Sequence, residues 1–273
     1  MLNPFRPFKP FGNIGGAFAP SDLANLLHYW DAVAGPNPKT LGVIPGGQGV
    51  GNIDLTRTGG TDDAWTLGGD GYYALDLSGA AAYYTNSGAR SFGNTAMYGH
   101  VPMFYNMLIK IDVFSANAHL SGMAGAGNTR FRTAQGSSNT GMRTILGSDF
   151  KKIDNTTKAP DWVYTAGPSF VDRWVMIGTV FDSANNLISY RYNGATDGTA
   201  EWNGAEIAVT SFNLGIGDTG TTRSDMSIRG TGLVLSANLA DIQKLEGYTA
   251  WQFGQTFAQG VLNASHPYYS AAP

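Results

Sequence analysis

The segment 173–194 constrains the fold most, because it has the pattern of a complete β-hairpin. Two stretches rich in β-branched and aromatic residues, 173–182 and 187–192, flank the turn-forming sequence Ser183-Ala-Asn-Asn186. Asn193-Gly194 then supplies a second tight turn. Antiparallel strands joined by short turns are therefore the expected unit of this chain.

Comparable strand patterns recur along the sequence at 70–77, 103–114, 205–209, 212–216 and 226–234. The chain has 37 glycines and 12% aromatic but only 14% charged residues among 273, a composition typical of one large, turn-dense β domain. The Gly- and Thr-rich stretches 42–62 and 122–141 are predicted to be surface loops. We predict an all-β fold, a two-sheet antiparallel jelly-roll sandwich over residues 20–273, with an extended N-terminal arm and a short C-terminal helix.

Both ends of the predicted sandwich carry helical signals. The segment from Pro20 favours a short helical turn that runs into a strand ending near Trp30. At the other end, Asn238 is the expected helix cap, and Asp241 has the spacing of a capping box. The face expected to pack on the sandwich has apolar residues at helical spacing, namely Leu239, Ile242, Leu245, Thr249 and Phe253.

Residues 1–19 form a separate, Phe- and Pro-rich segment. Phe5, Phe8 and Phe11 recur every three residues, each after a proline, which is the period of a polyproline II helix. Arg6 and Lys9 lie between them. The arm either packs on its own domain or is disordered, as termini often are, or it buries its aromatic edge against another chain. We adopt the last of these hypotheses and predict that residues 1–19 are an arm that anchors the chain to another protein.

Composition excludes several classes of function. There is no cysteine, which excludes disulfides, thiolate metal sites and cysteine nucleophiles. With 17 basic and 20 acidic side chains, the formal charge of -3 argues against a nucleic-acid partner. No apolar run approaches the roughly 20 residues of a membrane helix, so no membrane insertion is expected. Three prolines interrupt the N-terminus and no signal-peptide core follows, so a protein that works outside the cell would be released by lysis or by a dedicated export system.

Catalytic and metal-binding patterns are weak. A glycosidase needs two carboxylates at the scissile bond, yet none of the three glutamates shares a strand motif with an aspartate. The four histidines lack the spacing of metal ligands. We predict no enzyme and no cofactor. Ca²⁺ bound by loop aspartates is the alternative to solvated turn residues; the aspartates concerned are Asp62, Asp63, Asp70, Asp218 and Asp225.

Two tyrosine pairs are candidates for stacking on sugar rings. In a strand, Tyr72-Tyr73 and Tyr83-Tyr84 would each place one ring on either face of the sheet, leaving one exposed. Cross-strand packing inside the sandwich is the alternative, since aromatic pairs stabilise sheets.

Several segments resemble a known family. The segments 173–182, 187–194, 212–218 and 230–240 resemble, in order, successive strands of laminin G-like, concanavalin A-like jelly rolls. The ending Lys244–Gly254 with His266-Pro-Tyr268 is similar to the close of such domains in tailed-bacteriophage and prophage proteins. The start of this chain's predicted sandwich also resembles the start of such phage domains, through Ser21-Asp-Leu-Ala-Asn-Leu26 and Trp30-Asp-Ala32.

The resemblance implies a structural virion protein, used as a fibre, spike or decoration module that touches host-surface glycans. Its expected partners are other virion proteins of the capsid, tail or fibre, reached through the arm, further copies of the chain in a homo-oligomer, and a host glycan. Two alternatives stay open, because the same sandwich serves many functions. The first is a freestanding carbohydrate-binding lectin, and the second is a glycoside hydrolase.

Overall fold

The computed structural model describes residues 18–23, 26–33, 43–44, 55–58, 64–77, 83–87, 102–125, 130–136, 141–146, 153–154, 159–165, 170–204, 209–214 and 224–273. The proposed anchoring residues Phe5, Arg6, Phe8, Lys9 and Phe11 lie outside these ranges, as do Asp62, Asp63 and Asp218. A 3-10 turn, Pro20–Asp22, opens the described chain and leads into the first strand, as expected.

Sixteen strands and two helices follow in the described residues. The strands are β1 (Leu26–Asp31), β2 (Val43–Ile44), β3 (Leu55–Thr58), β4 (Ala64–Leu67), β5 (Tyr73–Asp76), β6 (Tyr83–Ser87), β7 (Met103–Val113), β8 (His119–Gly125), β9 (Arg130–Gln135), β10 (Gly141–Leu146), β11 (Trp162–Thr165), β12 (Trp174–Asp182), β13 (Leu187–Tyr192), β14 (Ala195–Glu201), β15 (Val209–Leu214) and β16 (Asp225–Val234). The helices are α1 (Leu239–Trp251) and α2 (Gln255–Val261).

The strands form two eight-stranded antiparallel sheets. Sheet I has the order β14-β13-β12-β7-β16-β5-β4, and β1 also pairs with β16. Sheet II has the order β11-β10-β9-β8-β15-β6-β3-β2. The prediction of a two-sheet antiparallel sandwich is confirmed. Loops were wrongly predicted over 42–62 and 122–141, because β2, β3 and β9 fall inside those stretches.

The predicted hairpin is confirmed in its register. Strand β12 pairs with β13 from Ile177 opposite Tyr192 to Asp182 opposite Leu187. Asn193 and Gly194 both have positive φ values, 50° and 79°. Two left-handed residues in succession are what a tight hairpin turn requires, and Asn-Gly meets that requirement with little strain.

Strand β7 is buried on both of its faces. Tyr105, Met107 and Ile109 pack in the main core between the sheets. The alternate residues Phe104 and Leu108 point to the opposite side, where they join the clusters formed with the helices. The molecule thus has three layers, sheet II, sheet I and a helical layer, which explains why this strand is apolar almost throughout.

The helical layer has two helices where the sequence predicted one. Asn238 caps α1 as predicted, since its Oδ1 accepts a hydrogen bond from the Ala240 backbone N–H at 2.9 Å. Asp241 does not complete a capping box but accepts a hydrogen bond from the Ser236 hydroxyl at 3.1 Å. Burial of Leu239 was wrongly predicted, because α1 first joins the apolar cluster at Ile242 and its opening residue stays in solvent.

One edge of the sandwich is closed by an indole ring. Trp162 of β11 stacks on Tyr190 of β13 and donates its Nε1–H to Asp197 of β14 at 2.7 Å. Gly198 lies against the same ring and leaves no room for a Cβ. This contact joins the edge of sheet II to the edge of sheet I. Among the described residues, no helix is long and apolar enough to cross a membrane.

Candidate functional site

The outer faces of the two sheets differ in what they present. On sheet I, Leu108 and Met176 pack against Phe253 and other residues of the helical layer. On sheet II, β10 alternates between Met142, Thr144 and Leu146, which are buried, and Arg143 and Ile145, which are partly exposed. The outward side of sheet II carries both polar and apolar side chains, and it is the candidate functional surface.

Strand register places its outward residues in two rows. His119, Ala134, Arg143 and Val163 lie side by side across β8 to β11. The next row holds Ile145, Arg132, Gly122 and Asn213, from β10 through β9 and β8 to β15. Their neighbours in sequence, such as Phe131, Met142 and Leu214, face the core instead. We call His119, Arg132, Arg143 and Asn213 the polar face.

Arg143 is held in place from one side. Its Nη2 donates to the Asn117 side chain at 2.6 Å, while its buried Nε has no hydrogen-bond acceptor among the described residues. Asn117 has a φ of 62° in the turn between β7 and β8. That turn is tied to the sheet, because Gln135 Oε1 accepts the Ser115 backbone N–H at 2.9 Å. The guanidinium is thus oriented by the fold before any ligand binds.

The polar face carries side chains that can form hydrogen bonds. His119 and Asn213 are nearly buried, at 7% and 8% exposure, so their orientation is restricted. Arg132 and Arg143 are partly exposed and offer planar, multi-donor groups. Polar side chains of restricted orientation beside apolar ones, here Ile145 and Val163, are a feature of ligand-binding surfaces.

A second cluster of charges is buried and structural. Glu246 of α1 accepts two hydrogen bonds from Arg191 of β13, each at 2.7 Å, and its Oε2 lies 3.4 Å from His266 Nε2. Arg191 also donates to the Gly194 carbonyl at 2.6 Å. All three ionisable side chains are at most 4% exposed. The cluster fixes α1 and the C-terminal segment to sheet I.

Asp70 belongs to a third cluster. Arg229 donates to its two carboxylate oxygens at 2.6 and 2.8 Å and lies 4.4 Å from the ring centre of Trp174 and 4.8 Å from that of Phe257. The hydrogen bonds from Arg229 lower the pKa of the Asp70 carboxyl below its ordinary value. As a candidate calcium ligand Asp70 is thus already engaged by a guanidinium.

Asp225 lies in an acidic cluster with Asp76 and Asp112. Carboxylate oxygens of the three residues lie within 4.8 Å of one another. Burial and repulsion by Asp112 and Asp76 raise the pKa of Asp225. Lys110 compensates part of this charge, since its Nζ is 2.5 Å from Asp112 Oδ1. Carboxylate oxygens are ligands that Ca²⁺ prefers. Lys110, however, already forms an ion pair with one of the three carboxylates, that of Asp112.

The two tyrosine pairs lie in different sheets. The Tyr72 ring packs edge-on against Phe253 at 5.5 Å, and Tyr73 opens β5 opposite the exposed Leu67. Tyr83 and Tyr84 lie in β6 of sheet II, but their side chains are outside the described part of the structure. The two pairs therefore do not share a sheet, and stacking on a glycan stays a prediction.

Sequence reasoning missed the polar face. Its signal was the alternation of Arg130-Phe-Arg132 and Met142-Arg-Thr144, in which basic and apolar residues exchange at the period of a strand. The loop prediction over 122–141 hid the first half of that pattern. The neighbouring strands also come from distant positions, so the common surface requires the pairing of β8, β9, β10 and β15.

Comparison with known proteins shows which solved structures share the fold of this chain. No protein family and no curated relative matches the sequence. Solved structures do match. The binding domain of botulinum neurotoxin serotype D is 12% identical with a TM-score of 0.55, over 81% of this chain and 51% of that one. The binding domain of botulinum neurotoxin DC in complex with SialylT is 11% identical with a TM-score of 0.57, over 85% and 53%.

A third match extends over a whole domain. Domain 4 of AbnA, an extracellular arabinanase of Geobacillus stearothermophilus, was solved in complex with arabinotriose. It is 15% identical with a TM-score of 0.52, and the match covers 82% of this chain and 99% of that domain. The chain spans only about half the length of the botulinum domains. These likenesses show the fold. It is a β-sandwich shared with binding domains.

Proposed function

We propose that this chain is a non-enzymatic carbohydrate-binding module that holds a glycan on the polar face of sheet II. The observation that carries the proposal is the set of pre-oriented donors on that face, with Arg143 fixed by Asn117 and with His119 and Asn213 nearly buried. Ordered donors lose little conformational entropy when a ligand with many hydroxyl groups binds.

The comparisons support a binding role. The AbnA domain, which the match covers almost completely, was crystallised with a trisaccharide, and the botulinum structures are binding domains. The described glutamates have positions that need no catalytic role. Among the described ones, Glu246 is buried in its ion pair with Arg191 and Glu201 is exposed at the end of β14.

The test is binding of the full chain to a panel of immobilised oligosaccharides. We expect at least one specific glycan to bind, and Arg143→Ala to weaken binding about tenfold or more, as expected for loss of a charged hydrogen bond. Arg173→Ala is the matched control. It removes a guanidinium that contacts Tyr192, away from the polar face. Absence of binding to every glycan, or an equal loss in both variants, contradicts the proposal.

We further propose that residues 1–17 attach the module to a phage-like particle, where it serves as a fibre, spike or decoration element. The repeated Phe5, Phe8 and Phe11 support this proposal, together with the resemblance of the C-terminal segment to virion proteins. Phe18 is not part of the excised segment in the test, because its ring packs on Tyr248 at 6.0 Å.

Deletion of residues 1–17 tests the attachment. The shortened chain should unfold at the temperature of the full chain and still bind glycan, but it should no longer sediment with particles. A variant with Phe5, Phe8 and Phe11 changed to serine should behave in the same way. Particle association that survives both changes would show that the arm is not the anchor.

A further inference from the structure

We infer that the glycan is a neutral sugar held at the β10–β11 end of sheet II, where one of its hydroxyl groups accepts a hydrogen bond from Arg143 and the next donates one to Asp161. This inference rests on the proposed function, and it adds the class of the ligand and the part of the sheet that holds it. It starts from Val163, whose side chain is 51% exposed on the outward side of β11.

Four outward positions form a rectangle at this end of the sheet. Val163 is directly opposite Arg143, and Asp161 precedes Val163 by two residues on the same side. Ile145 occupies the fourth position beside Asp161, in keeping with the hydrogen bond from the adjacent Leu146 backbone N–H to Asp161 Oδ1. We call Arg143, Ile145, Asp161 and Val163 the corner site. Its charged residues occupy one diagonal and its apolar residues the other.

The corner site is open to solvent. Asp161 and Val163 are exposed, and Arg143 and Ile145 are partly exposed. Among the described strands only β10 pairs with β11, so the site lies at the end of sheet II. Diagonal neighbours across an antiparallel pair are about 7–8 Å apart, within reach of long side chains. A sugar ring lying over Val163 and Ile145 can therefore contact both charged groups.

The fold orients both charged groups from outside the corner. Asn117 Oδ1 accepts a hydrogen bond from Arg143 Nη2 at 2.6 Å, and the Leu146 backbone N–H donates to Asp161 Oδ1 at 2.9 Å. A guanidinium has five N–H donors and a carboxylate has about four acceptor positions, so neither of these contacts uses the whole group. Both groups thus keep a fixed direction while they remain accessible to a ligand.

The pairing of opposite charges favours a neutral ligand. A hydroxyl group both donates and accepts, so two adjacent hydroxyl groups satisfy a guanidinium and a carboxylate at once. The carboxylate of an acidic sugar at this site would be repelled by Asp161, and the ammonium group of an amino sugar would be repelled by Arg143. The C–H groups of a sugar ring match the apolar side chains of Val163 and Ile145.

The experiment is calorimetry of the full chain with three neutral trisaccharides, namely arabinotriose, maltotriose and cellotriose, and with the acidic trisaccharide of galacturonic acid. We expect at least one neutral sugar to bind, and the acidic sugar to bind about tenfold more weakly or not at all. Asp161→Asn should weaken binding of the neutral sugar about fivefold or more, because a charged hydrogen bond becomes a neutral one. It should also reduce the discrimination against the acidic sugar.

Asp172→Asn is the matched control, since Asp172 is exposed and lies in the turn before β12. It should leave both affinities unchanged. Asp161→Asn keeps a carbonyl oxygen for the Leu146 N–H, and an unchanged melting temperature would show that it is folded. Val163→Gln tests the same corner without touching that contact. Its longer polar side chain should weaken binding of the neutral sugar about fivefold or more, because the apolar contact is lost.

The outcomes separate this inference from the proposed function. If a neutral sugar binds the parent chain, Asp161→Asn and Val163→Gln equally well, the chain is a glycan-binding module whose site lies outside the corner. If the acidic sugar binds as tightly as the best neutral one, the ligand class is wrong although the module still binds glycans. If no oligosaccharide binds, both proposals fail.

Discussion

At the scale of single residues, the most consequential side chain is Glu246. It lies in a helix at 1% exposure and is paired with Arg191, 55 residues away in sequence. Buried charges are costly unless they are paired, so the stability of this region depends on both partners. The pair also holds His266, and with it the C-terminal segment.

We expect Glu246→Gln to destabilise the fold by about 3–5 kcal/mol, because it leaves the Arg191 guanidinium buried without its counter-charge. Urea unfolding followed by fluorescence measures this change. Glu201→Gln is the matched control at an exposed position and should alter stability by no more than about 0.5 kcal/mol. Equal effects of the two substitutions would show that the buried pair contributes nothing particular.

Substitution of Asp225 should stabilise the fold, whereas substitution of Glu246 should destabilise it, and the effect at Asp225 should depend on pH. Burial and repulsion by Asp112 and Asp76 raise the pKa of Asp225 in the folded state, so its ionised form destabilises the fold. The penalty is absent below the ordinary Asp pKa of about 3.9 and is complete once pH exceeds the raised pKa. Asp225→Asn should therefore increase the melting temperature at pH 7.

The advantage of Asp225→Asn should disappear at about pH 3, where the parent residue is protonated in both states. Asp172→Asn provides the control, since Asp172 is exposed and its φ of 57° suits asparagine equally well. Thermal melts of the unsubstituted protein, Asp225→Asn and Asp172→Asn, at pH 7 and at about pH 3, measure this change in melting temperature. An advantage that persists at low pH would assign the effect to something other than charge.

At the scale of elements, α1 shows what a helical pattern does and does not specify. The spacing of apolar residues correctly marked Ile242, Leu245 and Phe253 as buried, but it marked Leu239 in the same way. Periodicity describes the direction in which a side chain points. It does not describe where along its length a helix meets the sheet.

We expect Leu245→Ala to cost about 2–5 kcal/mol, because Leu245 is fully buried against Phe104 and Val234. Leu239→Ala, the same substitution at a position 53% exposed, should change stability by no more than about 0.5 kcal/mol. Chemical denaturation of both variants measures the contrast. A large effect at Leu239 would mean that it packs against something outside this chain.

The elements of sheet II limited prediction in another way. Single strands such as β10 have a readable alternation, and Asn193-Gly194 specifies its turn without help from distant residues. The site, however, takes its outward residues from four strands that are not all consecutive in the chain. Val209–Leu214 enters between β8 and β6. Pairing partners at this separation depend on the whole arrangement of the core, which local patterns do not encode.

At the scale of the whole molecule, the helical layer determines whether sheet I can exist in water. Phe104, Leu108 and Met176 are buried beneath α1, α2 and the segment around them. A chain that ends at Leu235 would expose all three residues together. We expect it to lose cooperative unfolding, to bind hydrophobic dyes and to aggregate.

Removal of residues 1–17 is the control for that truncation, since it leaves every strand and helix described above intact, and we expect the shortened chain to keep its melting temperature. Calorimetry and near-ultraviolet circular dichroism compare the two shortened chains. A truncated chain that melts cooperatively at the temperature of the full chain would show that the helices are dispensable.

The sequence alone determined the β class, the two-sheet architecture, the β12–β13 hairpin and the Asn238 cap, because strand alternation, turn residues and caps act over a few neighbouring residues. Only the tertiary structure decided that Arg132, Arg143, His119 and Asn213 share one face, that Asp70 is held by Arg229, and that Leu239 is exposed. These facts depend on which distant segments pack together, and that is chosen by burial of the whole core rather than by any local pattern.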